Sequence, residues 1–412
     1  MPASAQRTLD QELADLALAD EPYGAYARLR AEDPVHWCEP WQQWVLTRYD
    51  DVQAVTLDPA RFSSSGWEAT YLGGLDPQVR AGLPHLERHY GTGVLSNTDP
   101  PVHGRLRRLV VRSFAPRVLE AIRMDIERLV EKLLDALDGP GVVDLLARFA
   151  YPLPAIVIAR LLGAPESGAV DFERWSADIV AFVGSGRPLP ERATKADASL
   201  NAFRRHLEPL IEEARLRPRD DLISTLAARD DDGDRLTPDE LVSTCVTLLF
   251  AGHETTANLI GNGLVALLRH PAELERFRGE PALAASAVEE LLRYDSPVQR
   301  LRRRATTDIE IRGSVVHSGD LVMAFTGAAN RDPDRFDEPD RLDIARGDTG
   351  HLAFGHGVHF CVGAALTRLE AQIALTMLLR RFPRLRLACG AEIRWKPNIT
   401  FRGLESLPLE LR

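Results

Sequence analysis

The sequence predicts a mainly α-helical protein with small β-sheets, built as a single domain over residues 1–412. Apolar residues recur at helical spacing through most of the chain between Val118 and Leu292. Segments of β-type composition are short and few: Val35–Trp37, Trp44–Leu46, Ile309–Ile311 and Leu321–Met323. The chain has no internal repeat and no long low-complexity linker, which favours one large domain although the length alone suggests two or three.

The charge balance excludes several classes of partner. A formal net charge of -10 disfavours nucleic acid, because phosphate binding needs a basic surface. Met1–Arg7 leads into the acidic stretch Asp10–Asp20 and contains no apolar signal-peptide core. No charge-free run approaches the ~20 residues that a membrane span needs. We therefore expect a cytoplasmic protein that binds neither nucleic acid nor membrane.

One long helix is predicted near the middle of the chain. Thr237 fits the N-cap, Pro238 the first helical position, and Glu240 completes a capping box. The helix is expected to continue to about Arg269, just before His270-Pro271. At ~1.5 Å per residue it would span roughly 48 Å. Because it is apolar on nearly every side, it belongs in the core.

The centre of this helix carries an unusual polar segment, Ala251–Thr256. A zinc-protease H-E-x-x-H pattern is excluded, since Ala257 stands where the second histidine would be. We interpret Glu254 and Thr255 as residues for proton handling. The Thr255 hydroxyl can donate to the carbonyl of Ala251 and open a polar notch. The alternative is a loosely packed helix with a solvated acid.

Four cysteines, Cys38, Cys245, Cys361 and Cys389, are too far apart for a disulfide framework or a cysteine-zinc site. Cys361 differs in its surroundings. The glycines at 355, 357 and 363 allow the backbone to approach a flat ligand closely. A helix predicted to begin at Ala364 favours an ionised sulfur at its N-terminus. A phosphate-binding loop is disfavoured because the Gly-Lys-Ser/Thr ending is missing. Cys361 is therefore predicted to bind haem iron as a thiolate.

With these motifs in register, the chain resembles a bacterial cytochrome P450 over nearly its full length. Phe354–Gly363 resembles the haem-thiolate loop of that family, and Ala251–Thr256 its oxygen-activation motif. Glu290 and Arg293 resemble its E-x-x-R pair, for which Phe336–Arg341 supplies the second arginine, Arg341. The resemblance implies a triangular, helix-rich fold in which the long helix crosses over the haem.

The resemblance also implies the ligands and the residues that contact them. The cofactor is haem b (iron protoporphyrin IX), with Cys361 on the metal and dioxygen as co-substrate. The implied haem contacts are His103, Arg107, Arg303, His359, Phe354, Gly355, Gly363 and Ala251. Thr255 and Glu254 are the implied catalytic residues. The implied substrate pocket contains Phe182, Thr247, Phe250, Val298, Gln299, Arg300 and Thr400.

Two of these pocket residues carry open alternatives. Alternation along an extended segment places Gln299 toward the haem cavity, where it would bind a polar group of the substrate. It could instead bond to the backbone. Arg300 could sit opposite, against a surface acid, or pair a substrate carboxylate if the segment twists.

The implied activity is that of a haem-thiolate monooxygenase, which inserts one atom of dioxygen into a small organic substrate. No flavin or iron–sulfur module is attached before Arg412, so a separate ferredoxin and ferredoxin reductase are expected as electron donors. Arg105, Arg108 and Arg112 are predicted to form a cationic docking face for an acidic ferredoxin. The alternatives are a haem-thiolate peroxygenase and a catalytically silent haem or ligand-binding protein.

Overall fold

The computed structural model describes residues 8–15, 20–139, 141–165, 168–185, 187–229 and 233–412. Met1–Arg7, on which part of the targeting prediction depends, lies outside these ranges. The described part forms seventeen α-helices and ten short strands, which confirms the predicted fold class. None of these helices is long and apolar enough to cross a lipid bilayer.

The helices vary from one turn to more than eight. They are α1 (Leu9–Asp15), α2 (Tyr23–Glu32), α3 (Tyr49–Leu57), α4 (Trp67–Gly73), α5 (Pro77–Ala81), α6 (Pro84–Gly91), α7 (Val102–Val111), α8 (Pro116–Asp135), α9 (Pro152–Leu162), α10 (Ala169–Val183), α11 (Pro190–Leu216), α12 (Leu222–Ala227), α13 (Pro238–Arg269), α14 (Pro271–Gly279), α15 (Ala284–Tyr294), α16 (Thr326–Ala329) and α17 (Ala364–Arg381).

The strands form three small sheets. They are β1 (Val35–Cys38), β2 (Gln43–Leu46), β3 (Phe62–Ser63), β4 (Val142–Asp144), β5 (Leu301–Ala305), β6 (Ile309–Ile311), β7 (Ser314–Val316), β8 (Leu321–Ala324), β9 (Arg386–Leu387) and β10 (Pro408–Glu410). The main sheet has the order β1-β2-β8-β5-β3, and the others are β4-β10-β9 and β6-β7. In the main sheet only β2 and β8 pair in parallel. All four predicted β segments are strands.

The long central helix was predicted correctly. Thr237 caps α13, its hydroxyl accepts from the Glu240 N–H, and the Glu240 carboxylate accepts from the Thr237 N–H. Two glycines permit close packing along it. A Cβ on Gly261 would lie 2.8 Å from Leu146, and one on Gly263 2.9 Å from Leu291. The helix is thereby pressed between α15 and the π-helical turn Leu146–Ala150.

The same helix joins the two largest apolar clusters. Ile260 and Leu264 belong to the cluster that includes α8, α15 and α17. Val242 and Leu249 belong to the cluster that includes α10 and α11. A helix shared in this way supports the single-domain organisation over 1–412, which stays a prediction.

A buried ion-pair cluster connects α15 to the segment that follows α16. Arg293 is fully buried, and its Nε donates to Glu290 Oε2 at 2.7 Å. The prediction that Arg341 completes this group is wrong. Its guanidinium is exposed and pairs with Glu338, and only its carbonyl accepts a bond from Arg293. Arg346 takes the position instead, with Nε 3.2 Å from the Glu290 carboxylate.

This difference predicts unequal effects on stability. Arg346→Met should lower the free energy of unfolding by about 1–3 kcal/mol, because buried acceptors lose their donor. The matched variant Arg341→Met should leave the urea midpoint unchanged, since that side chain is exposed. Urea denaturation of the haem-loaded protein, followed by far-ultraviolet circular dichroism, measures both. Equal midpoints for the two variants would contradict the assignment of Arg346.

Candidate active site

Cys361 lies on a tight loop between the 3₁₀ turn Gly357–His359 and the start of α17. Gly355 and Gly357 have φ values of +69° and +68°, the left-handed region that favours glycine. A Cβ on Gly357 would lie 2.6 Å from the carbonyl oxygen of Thr56, so the loop also needs glycine for space. The Cys361 N–H donates to the Phe354 carbonyl at 3.0 Å and closes the loop.

The surroundings of Cys361 differ from those of the other buried cysteines. Burial raises the pKa of the Cys361 thiol, while the Gly363 N–H and the guanidiniums of Arg107 and Arg368 act in the opposite direction. Burial raises the pKa of Cys38 and of Cys245 to about 12 in each case. Among the four cysteines, Cys361 alone lines the large cavity. It is the sulfur that the fold presents to a ligand.

An ion pair between two helices holds this loop from behind. Arg368, on the first turns of α17, donates from Nε and Nη2 to the Glu289 carboxylate at 2.6 and 2.8 Å. Burial would raise the pKa of Glu289, but hydrogen bonds from Arg368 and His351 hold it at about 2. The Arg368 guanidinium also stacks on Phe354, 4.6 Å from the ring centroid. Glu289 therefore fixes both ends of the Cys361 loop.

Four predicted haem anchors gather on one side of this loop. The rings of His103 and His359 lie 4.1 Å apart between centroids, and each Nε2 is buried without a hydrogen-bond partner. Burial lowers the pKa of Arg303 to about 10, and its Nη1 donates only to the Arg302 carbonyl. Arg107 Nη2 donates to the Phe360 carbonyl at 2.8 Å.

These unsatisfied donors fit the carboxylates of a haem. An unpartnered buried histidine nitrogen and an unpaired buried guanidinium are costly unless an anion joins them. A macrocycle with two propionates, bound through iron to Cys361, would supply that charge. The residues present therefore fit the predicted cofactor.

A cavity of about 390 Å³ extends from Cys361 to the middle of α13. Its walls are largely apolar, and Thr255 stands among them. Predicted contact residues that line it are Thr247, Phe250, Ala251, Val298, Arg300, Arg303, Phe354, Gly355, His359, Gly363 and Thr400. The cavity volume is in the range of small-molecule sites.

Two predicted pocket residues are not part of this lining. The Phe182 ring packs against Tyr71, 5.5 Å between centroids, and its neighbour Val183 faces the cavity instead. The Gln299 amide donates to the Ser296 carbonyl at 2.7 Å and accepts from the Tyr26 hydroxyl at 3.0 Å. Strict alternation fails here because β5 begins only at Leu301. The prediction that Gln299 faces the haem cavity is wrong.

Thr255 and Glu254 point in different directions from α13. The Thr255 hydroxyl donates to the Ala251 carbonyl at 2.8 Å, as predicted, and borders the cavity. The Glu254 carboxylate is buried on another side, where Lys396 Nζ lies 3.0 Å from Oε1. Burial would lower the pKa of Lys396, but Glu254 and Tyr151 raise it. No sequence motif predicted the contacts of Lys396 and Tyr151 with Glu254, since both residues are distant from Glu254 in the chain.

The predicted cationic docking face is largely neutralised. Arg105 donates to Asp234 at 2.8 Å and to Glu240 at 2.7 Å. Arg108 lies 3.7 Å from the same aspartate. The prediction rested on the angular positions along α7 and could not include Asp234, which precedes α13, or Glu240 on its first turn. Arg105 therefore serves to dock α7 against α13.

The family model described as Cytochrome P450 matches residues 73–387. The chain belongs to the cytochrome P450 family. It is 45% identical over 403 residues to Cytochrome P450 107B1 of Saccharopolyspora erythraea, with 96% of each chain covered. It is 41% identical to the cytochrome P450 monooxygenase PikC of Streptomyces venezuelae, covering 96% of this chain and 92% of PikC.

A solved cytochrome P450 structure has the same fold as this chain. P450BioI, in complex with an acyl carrier protein ligated to hexadec-9Z-enoic acid, superposes with a TM-score of 0.87 at 36% identity. The match covers 96% of this chain and 99% of P450BioI. This cytochrome P450 is accordingly a haem-thiolate monooxygenase that uses haem b and dioxygen on a small-molecule substrate, with separate redox partners.

The position of Cys361 predicts a spectroscopic outcome. The reduced, carbon-monoxide-treated protein should show the absorption band diagnostic of thiolate-ligated haem, and Cys361→Ser should lose it completely. Cys38→Ser, Cys245→Ser and Cys389→Ser should keep the band, because those sulfurs lie outside the cavity. A thiolate-type spectrum from Cys361→Ser would refute the assignment.

Proposed function

We propose that this cytochrome P450 oxidises a C–H bond of a largely apolar small molecule, with Thr255 as the residue that holds the proton near the reacting oxygen. The balanced reaction is R–H + O₂ + 2e⁻ + 2H⁺ → R–OH + H₂O. The observation that carries this proposal is that Thr255 and Cys361 border one and the same cavity. The haem, when bound, supplies the reduction of dioxygen and the oxidising power.

The chain itself has three tasks in this proposal. Cys361 would hold the iron, and His103, Arg107, Arg303 and His359 would hold the propionates. The apolar wall, to which Phe250 and Val298 contribute, would exclude water and orient the substrate. The Thr255 hydroxyl donates to the Ala251 carbonyl, so toward the cavity its oxygen would accept a hydrogen bond and hold a proton-bearing group there.

Glu254 would relay protons from the surface, to which its ion pair with Lys396 connects it. The Lys396 side chain is 32% exposed while Glu254 is 3% exposed, so the pair extends from solvent to the residue next to Thr255. The Tyr151 hydroxyl accepts from Lys396 Nζ and lies 3.5 Å from Glu254 Oε1 and 3.4 Å from Asn258 Oδ1, so that it can donate to either oxygen. A buried carboxylate with a solvent-connected cation is suited to proton relay.

Thr255→Ala should keep haem and substrate binding but divert electrons to hydrogen peroxide. Loss of a residue that positions the proton in a general-acid step typically slows that step by about 10²–10⁴-fold. The matched control is Thr256→Ala, since Thr256 is buried, bonds to the Gly252 carbonyl and does not line the cavity. Product formed per NADH consumed, with a surrogate ferredoxin system, measures the difference. An unchanged yield in Thr255→Ala would remove Thr255 from the mechanism.

The peroxygenase alternative is tested in the same assay. A peroxygenase would form product from hydrogen peroxide without NADH or ferredoxin. The intact Glu254–Thr255 pair favours the reductive reaction. A silent haem protein would consume no NADH above the background rate.

We further propose a ferredoxin as the electron donor, docking over the outer side of the Cys361 loop. Val358 and Phe360 on this loop are exposed, and so is Val111 on α7. The loop and α7 are joined by the bond from Arg107 to the Phe360 carbonyl. Exposed apolar side chains beside the ligand loop are the kind of surface that a transient partner covers.

All four cysteines are free thiols, which supports a reducing, cytoplasmic location.

Val111→Glu should slow reduction by the ferredoxin about tenfold, through loss of an apolar contact and repulsion of an acidic partner. Reduction by dithionite should be unaffected. Val170→Glu, an exposed valine on α10, serves as the control. Stopped-flow reduction under carbon monoxide measures the rates with ferredoxin and with dithionite for the wild type and for both variants. Identical ferredoxin rates for both variants would exclude this docking surface.

A further inference from the structure

Two arginines at the cavity, Arg300 buried and Arg302 half-buried, have no counter-charge among the described residues. Arg300 is 2% exposed and borders the cavity. Its Nη2 donates to the Ser185 carbonyl at 3.3 Å, its Nη1 lies 2.6 Å from the Met323 sulfur, and its Nε is buried without a partner. Neither a carbonyl nor a thioether carries a negative charge, so these contacts do not compensate the positive charge of Arg300.

Arg302, two residues further on, also borders the cavity. Its guanidinium carbon lies 4.7 Å from the Trp67 ring centroid and 4.8 Å from that of Tyr71. Its Nε and Nη2 are buried without hydrogen-bond partners. The rings hold the guanidinium in place through cation–π contacts but satisfy none of its donors.

Two other buried arginines of this protein are paired with acids. Arg293 pairs with Glu290 and Arg402 with Asp295, each at 2.7 Å. Neither Arg300 nor Arg302 forms an ion pair with an acid in the described part of the chain. A buried charge without a partner is strongly unfavourable, so a missing anion is the simplest account of this pair.

The haem propionates do not account for it. Arg303 lies close enough to His359 to lower the pKa of that imidazole, whereas Arg302 faces Trp67 and Tyr71. Adjacent residues of a strand point to opposite sides. Burial lowers the pKa of both Arg300 and Arg302. An anion bound between the two guanidiniums would raise both pKa values again.

We propose that Arg300 and Arg302 bind an oxyanion of the substrate, a carboxylate or a phosphate, at one end of the cavity. This proposal rests on the proposed function and deepens it. The substrate is then an amphiphile: its anionic end binds the two guanidiniums, and its apolar body extends past Phe250 and Val298 toward Thr255 and Cys361. Oxidation takes place on a carbon remote from the anionic group. Guanidinium groups bind both oxyanions bidentately.

The test compares three ligands of one chain length on the haem-loaded protein: decanoate, decyl phosphate and decan-1-ol. Isothermal titration calorimetry measures binding independently of turnover. We expect at least one of the two anions to bind ten or more times more tightly than the alcohol, and their ratio tells carboxylate from phosphate. Arg300→Met and Arg302→Met should each reduce that preference about tenfold or more and leave decan-1-ol unchanged.

Arg304→Met is the matched control on the same strand, because Arg304 borders no part of the cavity and donates to the Ser65 carbonyl. It should keep the preference for the anion. Arg300→Lys, which retains the charge, should restore part of the affinity lost in Arg300→Met.

Three outcomes would overturn the proposal. The wild-type protein could bind decan-1-ol as tightly as both anions, a result that needs no variant to fold. The preference could survive both methionine substitutions. Arg302→Met could lose haem, seen as a lower ratio of haem to protein absorbance, which would assign Arg302 to a propionate. Failure of the proposed function is separate: Thr255→Ala would keep the wild-type yield of product per NADH, whatever the calorimetry gives.

Discussion

The structure depends on one constraint: the sulfur of Cys361 must be held in place at the cavity that Thr255, on the long buried helix α13, also borders. The Cys361 loop meets this constraint through the bond from its own N–H to the Phe354 carbonyl. Glu289 on α15 secures the loop through Arg368, so the position of the sulfur is tied to the helix behind it. The close contacts of Gly261 and Gly263 bring α13 against the turn Leu146–Ala150 and against α15.

The charges around the cavity divide into two groups that call for different ligands. His103 and His359 lie beside the Cys361 loop with an unpartnered Nε2 each, and the buried Arg303 beside them forms no ion pair within the described residues. Arg300 and Arg302 lie among Trp67, Tyr71 and Ser185 at another wall. Since unsatisfied buried donors destabilise a protein by about 1–3 kcal/mol each, both groups indicate occupants of the working enzyme. The first group fits the cofactor, and the second fits a substrate with an anionic end.

Local signals were read correctly from the sequence, whereas contacts between distant segments were not. The capping box of α13, the four strand segments and the Thr255 bond each depend on residues within about five positions. The assignment of Arg341 to the ion-pair group was wrong because motif spacing cannot show which guanidinium turns inward. Lys396 meets Glu254 only through the folding of the C-terminal segment. The orientation of Gln299 was predicted wrongly because strand alternation was applied before the strand begins. Arg105 was predicted to be part of a docking face because its acidic partners are far away in the chain.

The central claim is that Cys361 is the iron ligand around which the cavity is organised. X-ray absorption fine structure at the iron edge of the resting ferric protein tests this most directly. The account predicts one sulfur scatterer in the first shell, together with the nitrogens of the macrocycle. A first shell of nitrogen and oxygen alone would contradict it.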